Sequence, residues 1–531
     1  SKSWLLNEMQ IVIFTEVSYP GFGRYAGTYR VATELRDSGY TVQVIEFFTR
    51  MDKDQLLKVI DKFVTKETKL VGFSCTFFLP KAMGWGGRSK IRKLIRTKNV
   101  EDALDETTTS PGSRVLTERN VGTEDRESNT ATGISNLLFG RDDMFEIFDR
   151  IKERGNPRMM VGGARAYLAE DPPFNSEIDY VIRGQADTSV VALADHIFYG
   201  ADLKVGYQKG KCKIIEEKDY PVDDFTISRI RYNDSDIIMP KEVLPLELAR
   251  GCIFKCAFCS YNLIGKKVWE FNRNPDLVAR DLQEMYDKYG STGFMVCDDT
   301  YNDSIDKVER FHKAFTSLTF QPTFSTYARA DMMVSKPETM PLLYESGMRS
   351  VFFGIETLNH RAGKAIGKGM DPEKIKDGLY KAKATPGWNE IVTTSGFIIG
   401  LPYETEESIH ETYQWLLRDD CPLDSFSPTA LTISPDSSMG LNMAKYGYQW
   451  DENGSWYSEW MTEQQAKDLA LYYSRQLVKK KRARFQFTFF GRMQNIGWTL
   501  EDFDQERFSN DESDRRKDVV QYDYMERLMN L

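Results

Sequence analysis

From Met9 to about Gly200 short apolar runs alternate with amphipathic segments. "MQIVIFTEV" (9–17) predicts a buried strand, "YRVATELRDSGY" a helix stopped by Gly39, and "TVQVIEFF" a second strand. A helix around "DQLLKVIDKFV", a strand "KLVGFSCTFF", a helix "MFEIFDRIKERG" and strands at "RMMVGG" and "DYVIRG" continue the series. Strands alternating with helices imply crossover units, hence an α/β fold with a parallel sheet covered on both faces. Ligands of such sheets sit at the carboxyl ends of the strands.

One stretch breaks the rhythm. Residues 81–141 are polar and rich in Thr, Ser, Gly and charge, as in "DALDETTTSPGSRVLTERNVGTEDRESNTATG". They follow the third strand, which predicts a long insertion at the ligand-facing edge, either a surface loop or a cover over substrate. Residues 201–240 read as a linker with a short hairpin in "GYQKGKCKIIEEKDYPVDD".

From residue 241 a second alternating series begins. Its helix "NPDLVARDLQEMYDKYG" starts at Asn274 and Pro275 and puts Val278, Leu282, Met285 and Tyr289 on one face. Strands at "EVLPLELA", "GFMVCDD", "TFSTYA", "SVFFGIET", "SGFIIGLP" and near "TALTISP" give about six βα units over 241–435, too few for a closed eight-unit barrel and suited to a partial one. Residues 436–531 are aromatic, charged and less regular, with a helix at "EQQAKDLALYYSRQLVKKK". They read as a smaller α-rich region and a substrate-side cover, in which the aromatics of 446–460 are either core or substrate contacts.

At 531 residues, with 41% hydrophobic and 13% aromatic content, the chain can build several full cores. A net charge of −9 argues against general nucleic-acid binding, and the run "KKKRAR" (479–484) reads as the end of a helix complementing its dipole. No apolar run is long enough to span a bilayer, and "SKSWLLNEMQ" lacks the pattern of a secretory signal, so a cytoplasmic location is expected. The seven cysteines fit a reducing compartment. Four of them, Cys75, Cys212, Cys297 and Cys421, stand isolated.

The other three are Cys252, Cys256 and Cys259 in "CIFKCAFC", directly after the first strand of the second series. Two metals compete for this C-x₃-C-x₂-C spacing. Structural zinc wants a fourth thiolate or imidazole, for which Cys297 is the nearby candidate among seven cysteines and four histidines. A four-iron cluster held by three thiolates instead keeps one iron open.

The cysteine spacing, after a strand that opens a partial barrel, resembles the radical S-adenosylmethionine superfamily. The resemblance implies a [4Fe-4S] cluster on Cys252, Cys256 and Cys259 whose open iron chelates S-adenosylmethionine, and reductive cleavage to a 5′-deoxyadenosyl radical. It also implies that Phe258 packs by the adenine. In "CDDTY" Asp298 and Asp299 match polar groups near the methionine amine, with strand-end capping as the alternative. Arg329 of "YARAD" matches a contact to the cofactor carboxylate and Glu356 of "GIET" a ribose contact, each with a surface ion pair as the alternative. "GFIIGLPYET" resembles the strand supporting adenine, through Gly396, Ile398 and Gly400.

The segment "MMVGGARAYLAEDPPFNSEIDYVIRGQAD" resembles the doubly wound, flavodoxin/Rossmann-like cobalamin-binding domain that precedes many such barrels, placed here over residues 1–200. The resemblance implies that Gly162 and Gly163 let backbone lie against the corrin or its nucleotide tail, and that Ser74 hydrogen-bonds the tail. Many cobalamin folds carry D-x-H-x-x-G, whose His ligates cobalt. Alignment on Gly27 puts Phe22 and Arg24 at those places, and no histidine precedes His196. The domain is therefore expected either to hold cobalamin without a lower histidine from this loop or to hold no corrin.

The reading is a cobalamin-dependent radical S-adenosylmethionine enzyme, a C-methyltransferase of an unactivated carbon. The alternatives are cyclisation, ring contraction, oxidation or tRNA modification, or a non-catalytic iron–sulfur protein. Implied partners are a small-molecule or peptide substrate and an electron donor such as flavodoxin or ferredoxin.

Overall fold

A computed structural model describes residues 9–15, 23–48, 51–74, 141–164, 166–172, 174–261, 263–479 and 522–531. The expected polar insertion lies outside these residues apart from its last position. So do Phe22, Cys75 and residues 480–484 of the basic run.

The first sheet contains β1 (Ile11–Phe14), β2 (Val42–Ile45), β3 (Leu70–Ser74), β4 (Arg158–Gly162), β5 (Tyr180–Arg183), β6 (Tyr207–Lys209) and β7 (Cys212–Glu216). Its seven strands run in the order β2-β1-β3-β4-β5-β7-β6, parallel except for β6. Alternate side chains leave opposite faces. Val12, Phe14, Val71, Phe73, Met159 and Val161 pack under α2 (Lys53–Phe63) and α3 (Arg141–Gly155). Ile11, Ile13, Val42, Val44, Leu70 and Ile182 pack under α1 (Ala26–Asp37) and α4 (Asp187–Tyr199). Both faces are covered, as a buried parallel sheet requires.

The segment read as a linker contributes more than a connection. β7 pairs in parallel with β5, so the sheet runs past residue 200 to Glu216. Arg24, which stands where many cobalamin folds carry a cobalt-ligating histidine, is 2% exposed and makes an ion pair with Glu242 at 2.6 Å. It also donates to Tyr29 and to the carbonyls of Asp236 and Ile237. Its guanidinium is thus committed to joining the first domain to the start of the second.

The second sheet is wholly parallel, in the order β13-β12-β11-β10-β9-β8. Its strands are β8 (Leu244–Glu247), β9 (Gly293–Cys297), β10 (Thr323–Ala328), β11 (Met348–Glu356), β12 (Val392–Ile399) and β13 (Ser425–Ala430). Helix α5 (Pro275–Tyr289) shows how locally the sequence dictates these units. The Asn274 side chain accepts from the Asp276 amide, Pro275 needs no partner in the first turn, and Gly290 ends the helix at φ 68°. The last strand begins earlier than "TALTISP" implied and includes Pro428, which an edge strand tolerates.

After the sheet come the hairpin β14 (Tyr448–Trp450) and β15 (Trp456–Ser458), then a helix over Glu463–Lys479. A final helical segment returns to the first domain, where Tyr524 and Leu528 enter the core beside α2 and α3.

Candidate active site

The cysteine loop leaves β8 through Glu247 and turns at Gly251, whose φ is 74° and whose added Cβ would lie 2.5 Å from Leu263. Glycine is the residue that fits there. The loop folds back on itself through Cys252 N–H to Leu263 O and Gly265 N–H to Cys252 O. It is anchored from outside by Ala257 N–H to Ile366 O and Met439 N–H to Ala257 O. The three thiols are half-buried, and burial pushes the Cys252 and Cys259 thiols up.

No three Cys, His, Asp or Glu side chains among the described residues converge as ligands of one metal ion would. Zinc needs that convergence, whereas a four-iron cluster spreads three thiolates over three irons. Two polar groups already address the sulfurs. Thr300 Oγ1 lies 3.1 Å from Cys252 Sγ, and Arg329 Nη1 donates to Cys256 Sγ at 3.5 Å. The donor set fits a cluster.

The flanking strands bring most of the remaining candidates to the same rim. Arg329 is buried, lies over the Phe254 ring at 3.8 Å and pairs with Asp331. Its charge therefore serves the cysteine loop directly. Asp298 accepts from the Thr300 amide at 3.0 Å and pairs with buried Lys307 at 2.7 Å. Its neighbour Asp299 has its carboxyl pushed up to about 6 by burial and by Asp298. Phe258 is half-buried against the core of the second sheet.

On β11 and β12 the inward face is read from alternation. Phe352, Gly354 and Glu356 are half-buried between buried neighbours, and so are Gly396 and Ile398. Glu356 has φ 68°, and burial raises its carboxyl against the opposing Lys368 at 3.6 Å. A Cβ on Gly396 would meet Phe352 at 3.0 Å, so the glycine keeps this face low. Gly400, at φ 97°, carries a different burden. A Cβ there would strike Trp456 Cη2 at 2.6 Å, and its carbonyl accepts from Tyr448 Oη. Tyr448 and Trp456, for which the sequence left core and substrate contact open, are buried supports of this turn. Glu404 completes it by accepting from the Gly400 and Leu401 amides and from Thr357.

In the first domain Ser74 and Gly162 are direct partners at the carboxyl ends of β3 and β4. Gly163 follows at φ 108°, and a Cβ on Gly162 would meet nothing within 4 Å among the described residues. The strand ends thus offer open backbone, which fits a large flat ligand.

Three important residues were not singled out by the motifs. Thr300 touches a cysteine sulfur, Lys307 holds the Thr300 loop, and Arg250 joins the two halves. Arg250 stands two residues before Cys252 and donates to Asp187, Gln185 and Glu247. Gln185 and Asp187 follow the carboxyl end of β5, so the cysteine loop abuts the carboxyl edge of the first sheet. A lone Arg–Gly before a cysteine gave no sign of that long-range partner.

Residues 246–416 match the Radical SAM superfamily. The chain is 25% identical over 267 residues to an uncharacterized methyltransferase of Pyrococcus horikoshii, covering 47% of this chain and 55% of that protein. It is 22% identical over 301 residues to the bacteriochlorophyllide d C-12(1)-methyltransferase of Chlorobaculum tepidum, covering 53% of this chain and 59% of that protein. The chain thus spans somewhat over half the length of these relatives. Among solved structures, the radical S-adenosylmethionine methyltransferase TsrM of Kitasatospora setae, with cobalamin and a [4Fe-4S] cluster bound, matches with a TM-score of 0.61 at 15% identity over 95% of this chain and 99% of that one. The cobalamin-dependent enzyme OxsB matches with a TM-score of 0.54 at 13% identity, over 82% of this chain and 55% of that one. The two-sheet architecture is therefore a known fold, and its segment 246–416 is a radical SAM domain.

Proposed function

We propose that this protein is a cobalamin-dependent radical S-adenosylmethionine enzyme that methylates an unactivated carbon of its substrate. The observation that carries the reading is the abutment of the cysteine loop on the glycine-lined edge of the first sheet, through Arg250 to Gln185 and Asp187. When bound, the cluster supplies reductive cleavage of S-adenosylmethionine and the corrin supplies methyl transfer. Solved proteins of this fold bind cobalamin and a [4Fe-4S] cluster, and several relatives are named methyltransferases, which supports the same reading.

The chain's own work is placement. Cys252, Cys256 and Cys259 hold the cluster, and Glu356, Gly396 and Ile398 shape the floor for S-adenosylmethionine. Ser74, Gly162 and Gly163 would leave room for the corrin, and the loop around Arg24 carries no histidine that could ligate cobalt.

Corrin retention after desalting tests the proposal. Wild type reconstituted with cobalamin should keep its corrin absorbance. Gly162→Trp should lose it while keeping the cluster. A wild-type protein that emerges corrin-free would turn the reading toward corrin-independent radical chemistry.

A further inference from the structure

Thr300 follows the second strand of the radical SAM domain and belongs to none of the cofactor positions discussed above. Its hydroxyl lies 3.1 Å from Cys252 Sγ and 2.7 Å from the Asp299 carbonyl. The residue is 4% exposed, and its backbone is held from both sides. Its amide donates to Asp298 Oδ1 at 3.0 Å, and its carbonyl accepts from Lys307 Nζ at 3.0 Å. Lys307, only 1% exposed, is held in turn by Asp298 and Asp303. The hydroxyl is thus delivered to the sulfur by a rigid frame that does not depend on the side chain.

The hydroxyl has one proton. With Cys252 as a thiol, the S–H donates to Thr300 Oγ1 and the hydroxyl serves the Asp299 carbonyl. A cluster-bound thiolate has no proton, so the hydroxyl becomes the donor of this contact. A hydrogen bond to a charged acceptor is the stronger choice. Donors to cluster sulfurs stabilise the added negative charge of the reduced state and raise the potential.

We propose that Thr300 is a positioning residue that sets the reduction potential of the cluster by hydrogen-bonding Cys252 Sγ. The inference rests on the cluster assignment made above. Lys307 and Asp298 act through Thr300 by fixing its backbone.

The test is an EPR-monitored redox titration of the anaerobically reconstituted full chain, without S-adenosylmethionine, for wild type, Thr300→Val and Thr300→Ser. Thr300→Val should retain the iron content of wild type and shift its midpoint negative by about tenfold in the one-electron equilibrium, which is 59 mV. Thr300→Ser should restore the wild-type midpoint. An unchanged midpoint in Thr300→Val, or an equal shift in Thr300→Ser, would overturn the role. If Cys252→Ala holds a cluster as wild type does, the underlying assignment fails first and the inference falls with it.

Discussion

Arg250 Nη1 donates to Asp187 Oδ2 at 2.6 Å, joining the residue two places before Cys252 to the first turn of α4 in the other domain. The same carboxylate pairs with Arg30 at 3.0 Å. One buried acid therefore joins the cysteine loop to the first domain.

Asp187→Asn should cost about 3 kcal/mol of stability, in the range for breaking a buried pair. Denaturant unfolding of the apoprotein checks the value. Burial pushes the Asp187 carboxyl up, but Arg250 and Arg30 more than offset it and leave it below its ordinary value. Its contribution is therefore fully present above the unfolded carboxylate range near pH 4 and lost as pH falls through the lower folded value. The gap between wild type and Asp187→Asn should close in acid.

Glu404 has the opposite sign. Burial raises its carboxyl to about 7, against the pull of Thr357 and the Leu401 and Gly400 amides. The folded state holds this proton longer than the unfolded chain does. Stability should thus decline as pH rises from the ordinary carboxylate range to about 7. Glu404→Gln keeps a carbonyl for the two amides and should flatten that part of the profile.

Gly400→Ala should destabilise the protein by about 2–4 kcal/mol, combining a left-handed backbone with overpacking against Trp456. Gly162→Ala should be near neutral, since its Cβ would meet nothing within 4 Å among the described residues. Thermal melts of the two variants distinguish a supporting turn from an open edge.

These contrasts show what the sequence made legible. Asn274, Pro275 and Gly290 mark α5 because capping is local chemistry, and the cysteine spacing is local too. The hairpin of β6 and β7 was legible, but the β5–β7 pairing was missed because it joins residues across the whole of α4, beyond any local pattern. β13 was misplaced because Pro428 argues against a strand until its position at the sheet edge is known. The sequence leaves the aromatics of 446–460 open between core and substrate side, and the packing against Gly400 puts Tyr448 and Trp456 in the core. Thr300 and Arg250 act through partners 48 and 63 residues away, beyond any window of pattern reading.

Replacing any one of Cys252, Cys256 and Cys259 with Ala should abolish the cluster's visible absorbance after anaerobic reconstitution. Cys421→Ala, away from the loop, should keep it. Iron and sulfide analysis of each variant checks the expectation.

The central claim is most directly tested by incubating reconstituted, dithionite-reduced protein with S-adenosylmethionine and measuring 5′-deoxyadenosine by mass spectrometry. Wild type should form 5′-deoxyadenosine, and Cys252→Ala should form none. A wild-type preparation with a full cluster that binds S-adenosylmethionine yet yields no 5′-deoxyadenosine would contradict the account.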